Sequence, residues 1–239
     1  PSYINDGAAI ANNAGIGING ELVPDLSKAQ TIISIDADFL GIDKNVLYHT
    51  SNFSANRKPT HDNPTMSQLI SVESMLSLTG AAADKRFMAS PSEYEAILAG
   101  VYSKISNQLP EISATLAQLN PANSETVQYI VNALQKSGDK AVVLTGAHLS
   151  PAAHALTLAI NSALGNIGLG KILYQGHVLP NSGEKKSAIN TLVADINAGN
   201  VGAIVFCDIN PEYNGNPTLK SAIVKVKKRF FLGVNHNET

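Results

Sequence analysis

The chain has 239 residues, of which 44% are hydrophobic and 15% charged, with a formal net charge of −2. That balance builds a globular core and excludes a disordered chain, while the small charge excludes a strong field toward nucleic acid or anionic lipid. One cysteine, Cys207, cannot hold an iron–sulfur cluster, a zinc ribbon or an internal disulfide, and no apolar run reaches the length of a membrane span.

The chain starts at Pro1 rather than methionine and shows no signal peptide, so a piece of a longer protein is expected. Gly15-Ile16-Gly17-Ile18-Asn19-Gly20 matches the dinucleotide pattern G-x-G-x-x-G. That pattern needs a strand before it and a helix after it. Here Ala8 to Ala14 reads as helical, and Glu21-Leu22-Val23-Pro24 cannot open a long helix, which favours a helix end and turn. Thr31 to Ile35 is a β-branched strand ending in Asp36-Ala37-Asp38. Residues 41–66 are polar and aperiodic and read as one long loop, a candidate contact surface. Gln68 to Val72 is the next strand.

Ser90-Pro91-Ser92-Glu93 combines a cap, a first-turn proline and a capping-box glutamate. Tyr94, Ile97, Leu98, Val101, Tyr102 and Ile105 then recur at helical spacing, as do Val127, Ile130, Val131 and Leu134. A sub-division of the chain could fall near 110–140. Ala141 to Leu144 is a strand ending in Thr145-Gly146. Ser150-Pro151 opens a helix with Leu156, Ala159, Ile160 and Ala163 inward and a stop at Gly165. Lys171 to Tyr174 is a short strand. Ile189, Leu192, Val193 and Ile196 mark a further helix. Ala203 to Phe206 is a strand that carries Cys207 as a small core hydrophobe. Leu219, Ala222, Ile223 and Val226 mark the last helix, with a basic end from Lys225 to Arg229, and Arg229 to Val234 the last strand. Continuous apolar strands alternating with amphipathic helices predict an α/β, Rossmann-like, doubly wound and mainly parallel sheet with helices on both faces, as one domain over 1–239.

Asp36 and Asp38 stand where open α/β sheets bind ligands. Paired carboxylates there suit a cation or a ribose hydroxyl and repel a pyrophosphate; they equally suit a solvated turn in which Asp38 caps local backbone. The histidines (His49, His61, His148, His154, His177 and His236) show no metal-ligand spacing, and His148, near a strand end, has the best position to line a cleft. No nucleophile elbow, P-loop or acid/base pair is present, so no catalytic or metal-binding residue is assigned. Asn52-Phe53-Ser54 and Asn237-Glu238-Thr239 match the glycosylation pattern, a common chance match.

Three ordered segments carry a resemblance. The first is Ile70-Ser71-Val72-Glu73-Ser74-Met75 through Thr79-Gly80-Ala81-Ala82-Ala83-Asp84 to Pro91. The second is Val142-Val143-Leu144-Thr145-Gly146 through Leu164-Gly165-Asn166-Ile167-Gly168. The third is Ala203-Ile204-Val205-Phe206 through Asn210-Pro211. Together they resemble the molybdopterin oxidoreductases, with their D-P-R, T-A-x-x-A-D and P-G-T-D, L-x-G-N-I-G and N-P motifs. Asp36-Ala37-Asp38-Phe39-Leu40-Gly41, Leu78 to Asp84 and the ending Phe231 to Thr239 are most similar to the large iron–sulfur subunit of bacterial alternative complex III.

In the wider family, the strand-end loops hold the guanine-dinucleotide arm of the molybdenum cofactor. Here Glu73-Ser74-Met75 replaces D-P-R, Pro91-Ser92-Glu93-Tyr94 replaces P-G-T-D, and Asp36 and Asp38 bring negative charge. Asp36, Asp38, Glu73, Met75, Ser92 and Tyr94 are therefore degenerate pocket positions, with His148 a possible cleft residue, and no cofactor is expected in this part. The branch resemblance implies a scaffold in a membrane-associated, quinol-oxidising respiratory complex on the periplasmic face. Iron–sulfur clusters would lie elsewhere in the parent chain, and the partners would be other domains of that chain and neighbouring subunits, with no nucleic acid and no direct membrane insertion. Two alternatives stay open: a working molybdopterin oxidoreductase that binds molybdopterin guanine dinucleotide, and a small-molecule or nucleotide binding domain using the cleft near Asp38, Glu73 and His148.

Overall fold

The computed structural model describes residues 22–61, 64–106, 121–175, 185–215 and 217–239. The glycine-rich segment 15–20, the helix expected over Ala8 to Ala14, and His177 lie outside them. The chain groups into two compact units that divide between Leu179 and Pro180.

The larger unit is built on four parallel strands: β2 (Thr31–Ile35), β3 (Gln68–Glu73), β4 (Lys85–Met88) and β5 (Ala141–Thr145), in the order β4-β3-β2-β5. Strands β1 (Leu22–Pro24) and β6 (Leu173–Gln175) form a separate antiparallel pair. The apolar runs are buried on both faces because successive side chains alternate. Ile33, Ile35, Ile70, Val72, Ala141 and Val143 pack with helices α3 (Tyr94–Ser106), α4 (Pro121–Ser137) and α5 (Pro151–Leu164). Ile32, Leu69 and Val142 face the other way, onto Leu26, Phe39, Ile172 and Phe53 of helix α1 (Val46–Ala55). Helices thus cover both faces, and the fold is α/β and Rossmann-like.

Local chemistry explains the element ends. Ser90 N–H donates to Glu93 Oε2 at 2.8 Å, closing the turn that leads into α3. Ser150 Oγ accepts from Ala153 N–H at 3.1 Å, and Gly165, at φ +71°, stops α5 in the left-handed region that glycine enters freely. Within α5, Ala163 is exposed rather than inward. The sheet stops at β5 because its outer edge is already satisfied. Val143 N–H donates to Asn161 Oδ1 at 3.0 Å, and the carbonyls of Val143 and Ala141 accept from Asn161 Nδ2 at 2.8 Å and Asn166 Nδ2 at 2.5 Å.

The stretch 41–66 is not a continuous loop. It contains α1, whose buried residues His49 and Phe53 sit one turn apart while Leu47 and Tyr48 are exposed.

In the smaller unit, β7 (Ala203–Cys207) and β8 (Lys228–Leu232) pair in parallel. Val193 and Ile196 of helix α6 (Lys185–Asn197) and Ala222 of helix α8 (Pro217–Ile223) form its core with Val226. A four-residue helix, α7 (Pro211–Asn214), follows β7. Ile204 packs against this core and Phe206 is buried, whereas Val205 and Cys207, on the opposite face, are exposed. Cys207 is therefore not the core residue expected, because only one face of this pair is covered. The last helix ends at Ile223, and Arg229 belongs to β8 rather than to a basic helix end.

Candidate functional site

In the order β4-β3-β2-β5 the chain leaves β2 toward β3 on one side and returns to β5 on the other, so the topological switch point lies between the carboxyl ends of β2 and β5. The residues that follow those ends are Asp36, Ala37 and Asp38 on one side and Gly146, Ala147 and His148 on the other.

Asp36 adopts a left-handed conformation, φ +49°, and its N–H donates to Val72 O at 2.8 Å. Asp and Asn tolerate this region better than most residues. The turn places its carboxylate against His148, 112 positions away, with Asp36 Oδ2 and His148 Nε2 2.9 Å apart. Gly146 N–H donates to Ile35 O at 3.0 Å, and a Cβ at Gly146 would stand 2.1 Å from Asp36 O. The two strand ends can approach this closely only because residue 146 has no side chain.

Asp38 points away from this pair. Its Oδ1 accepts from Thr79 N–H at 3.0 Å and Thr79 Oγ1 at 2.9 Å, and Thr79 Oγ1 in turn accepts from Leu40 N–H at 3.1 Å. The carbonyl of Asp38 gathers the N–H groups of Gly41, Ile42 and Asp43. Asp38 is thus the capping residue of its turn, bound to the short helix α2 (Leu78–Ala81).

Glu73 closes the end of β3. It is 2% exposed, accepts from Arg86 Nε at 2.6 Å and from Ser77 Oγ at 2.6 Å, and receives Ser77 N–H at 3.3 Å. Arg86 pairs in register with Ser71, so it reaches Glu73 diagonally across the two strands.

The other expected positions diverge. Met75 is 80% exposed and touches none of these groups by hydrogen bond, and Ser92 shares a 2.8 Å hydroxyl contact with Ser90 at the exposed start of α3. Tyr94 is 1% exposed, and its hydroxyl is buried beside Asp36 and Ser74 without a well-formed hydrogen bond to either. Burial raises its pKa above the usual phenol range.

Two groups here were not singled out from sequence. Asp43 is drawn in by the turn on Asp38 O; burial, then the charge of Asp38, pushes its carboxyl above the usual range, with His148 opposing and Asp36 adding. Glu95 carries charge to the start of α5, where Ser150 Oγ donates to its Oε1. A hydrogen-bond-capable helix start 55 residues away gives no signal in the sequence.

Of the remaining histidines, His154 lies near Ala147 and His148 of this site. His49 is buried on α1 with Nδ1 unpaired among the described residues, and burial lowers its pKa. His154 lies on α5, also lowered by burial, and His236 is exposed. Among the described residues no group of three or more His, Cys, Asp or Glu side chains is placed to hold a metal ion. The smaller unit has a hollow of about 390 Å³ lined by Phe206, Lys220, Arg229 and Phe230 among others. Beside it Asn210 Nδ2 donates to Glu238 Oε2 at 2.5 Å and Thr239 Oγ1 donates to Asn210 Oδ1 at 2.8 Å.

No family model and no curated protein matches the chain. Among solved structures it is similar to a chain of the formyltransferase/hydrolase complex from Methylorubrum extorquens in complex with methylofuran. The identity is 11%, the match covers 97% of this chain and 71% of that one, and the TM-score is 0.44. A likeness that remote assigns neither a fold family nor a function.

Proposed function

We propose that this chain is a cofactor-free, molybdopterin-oxidoreductase-like scaffold within a membrane-associated, quinol-oxidising respiratory complex at the periplasmic face. Electrons would pass through iron–sulfur clusters carried by other parts of the parent chain. The observation that supports this reading is the state of the ligand edge: its polar groups are negative and are spent on one another.

A dinucleotide diphosphate needs backbone N–H groups and neutral or positive surroundings. At this edge Asp36 is paired with His148, Asp38 is turned onto Thr79, and both carboxylates, after burial, help to raise the pKa of Asp43. The N–H of Thr79 is taken by Asp38. Met75 stands where the family carries the arginine of D-P-R, and Arg86, on the neighbouring strand, is bound to Glu73. The start of α5, the natural seat for a phosphate beside β5, has Ser150 bridging Ala153 N–H and the Glu95 carboxylate. The residues present do not fit molybdopterin guanine dinucleotide. Among the described residues, no helix is long and apolar enough to cross a membrane.

The test is molybdenum, tungsten and pterin content of the intact parent protein. Background levels agree with a scaffold. Stoichiometric metal with bound pterin would instead make the parent a working molybdenum enzyme.

A further inference from the structure

We propose that the outer edge of β4 pairs with the same edge of a second copy of this chain, antiparallel across a two-fold axis, so that two four-stranded sheets join into one. The proposal does not rest on the scaffold reading. The two edges of the sheet are finished differently. At β5 the side chains of Asn161 and Asn166 occupy the backbone groups. At β4, Asp84 N–H donates to Leu69 O at 2.9 Å, which sets the alternation along the strand. The backbone groups of Arg86 therefore face β3, and the N–H and C=O of Lys85 and Phe87 face outward. Among the described residues, no backbone or side-chain group bonds these outward groups. An edge left open in this way is a template for another strand.

A lysine standing across such an edge is a common guard against pairing. Here the Lys85 ammonium lies instead over the rings of Phe87 and Tyr129, 5.1 Å and 5.9 Å from their centroids, on the α4 face of the sheet. Large apolar side chains flank the edge. Met88, the last residue of β4, pairs in register with Glu73, and Met75, Leu76 and Leu78 lie on the segment that follows Glu73; all four are at least 65% exposed. On the other face Tyr129, in ring contact with Phe87 at 5.3 Å, is 38% exposed. Together these side chains present on the order of 700 Å² of apolar surface, close to the roughly 800 Å² that each partner gives to a standard interface.

The register that satisfies the outward groups selects a second copy as the occupant. Set opposite its own equivalent, Phe87 gives its N–H to the carbonyl of the partner's Phe87 and receives one in return, the closed pair of an antiparallel ladder. On the α4 face this brings the two Phe87 rings together. It also sets Lys85 opposite the partner's Ala89, on the face where the partner's Glu93 opens α3. On the other face Met88 stands opposite the partner's Arg86, whose aliphatic stem covers an apolar side chain while its guanidinium stays on Glu73. No like charges are opposed in this register, whereas a shift that centres the pair on Arg86 would set two guanidinium groups against each other. The contact is self-complementary and closes at two copies.

Sedimentation equilibrium and residue-resolved amide hydrogen exchange of the intact chain, from about 1 to about 100 µM, test the pairing. The proposal expects a monomer–dimer equilibrium in that range. As dimer forms, exchange at the Lys85 and Phe87 amides should slow by roughly fivefold or more, while the Arg86 amide, already bonded to β3, stays as it was. Lys85→Pro removes one outward N–H at an edge position where proline is tolerated, and Met88→Lys opposes the partner's Arg86 with a like charge; each should weaken the dimer by roughly tenfold or more. Far-UV circular dichroism of both variants should match wild type, since both side chains are exposed, and Met88→Leu should dimerise as wild type does. A chain that stays monomeric throughout, or that assembles beyond two copies, overturns the proposal. A dimer whose Lys85 and Phe87 amides exchange as fast as the monomer's overturns it in favour of another apolar surface, such as the exposed face of β7 and β8. A dimer indifferent to Met88→Lys overturns the register.

Discussion

Removing Arg86 should loosen the closed end of β3. Glu73 is 2% exposed and draws its shortest nitrogen contact from Arg86 Nε at 2.6 Å, with Ser77 supplying the remaining donors. Breaking a buried pair by deleting one partner costs about 3–5 kcal/mol, because a charge is left buried and unpaired. Arg86 is 29% exposed, so water can follow into the space it leaves, and Ser77 still serves Glu73. The expected cost of Arg86→Ala is therefore lower, about 2–3 kcal/mol, near the value of a hydrogen bond to a charged group. For a unit of this size that lowers the midpoint by roughly 5–10 °C.

Urea unfolding followed by far-UV circular dichroism measures it, with Glu73→Gln and the double variant closing a cycle. Glu73→Gln in the Arg86→Ala background should recover most of the loss, since a neutral amide needs no counter-charge. A cost within about 0.5 kcal/mol of zero, the noise of an ordinary surface substitution, would refute the reasoning. So would a cycle with no coupling.

Two carboxylates predict opposite pH behaviour. Asp43 is raised by burial and by its acidic neighbours. An acid whose folded pKa lies above its unfolded value of about 3.9 takes stability away as pH rises from that value through the folded pKa. Asp43→Asn should accordingly stabilise the free chain at neutral pH by roughly 0.5 kcal/mol, the scale of one relieved like-charge contact, and add nothing below about pH 4. Thermal melts across that range check it; a gain that persists in acid would contradict the assignment. For Asp84, burial pushes the carboxyl up, but two bonds from Arg57, at 2.5 and 2.9 Å, and the Leu69 N–H at 2.7 Å outweigh it and hold it below the usual range. Its contribution is present above about pH 4 and lost as pH falls through the folded value. Asp84→Asn should cost about 1–2 kcal/mol at neutral pH and flatten the acid limb of the stability profile; an unchanged acid limb would count against it.

The parts of the fold that were legible in the sequence are those where burial is two-sided or a cap is local. Thr31 to Ile35 reads as a strand because both faces are covered, and Ser90 to Glu93 reads as a helix start because its bonds span three residues. Strand β4, Lys85-Arg86-Phe87-Met88, was missed because an edge strand alternates charge with apolar groups and shows no continuous run. Helix α1 was missed because only His49 and Phe53 are buried, while its apolar Leu47 and Tyr48 are exposed, so no periodic apolar stripe marks it. Strand β7 looked two-sided from Ala203 to Phe206, yet only Ile204 and Phe206 turn inward within its unit.

At the site, the strand-end position of Asp36 and Asp38 was legible from the order of elements. Their separate fates were not. Asp38 is bound to Thr79 and Asp36 to His148, contacts across 41 and 112 positions that depend on the register of the sheet. Tyr94 was named only as a degenerate pocket position, and its burial was legible from its place on the apolar stripe of α3.

The most direct measurement on the edge itself is an isothermal titration of the chain with guanosine diphosphate, which carries the guanine and diphosphate that a cofactor-binding edge would hold. The scaffold account predicts no saturable heat at millimolar nucleotide, in wild type and in Asp36→Asn alike. Saturable binding that is lost when Tyr94 or Asp36 is substituted would place the nucleotide in the crevice and contradict the account.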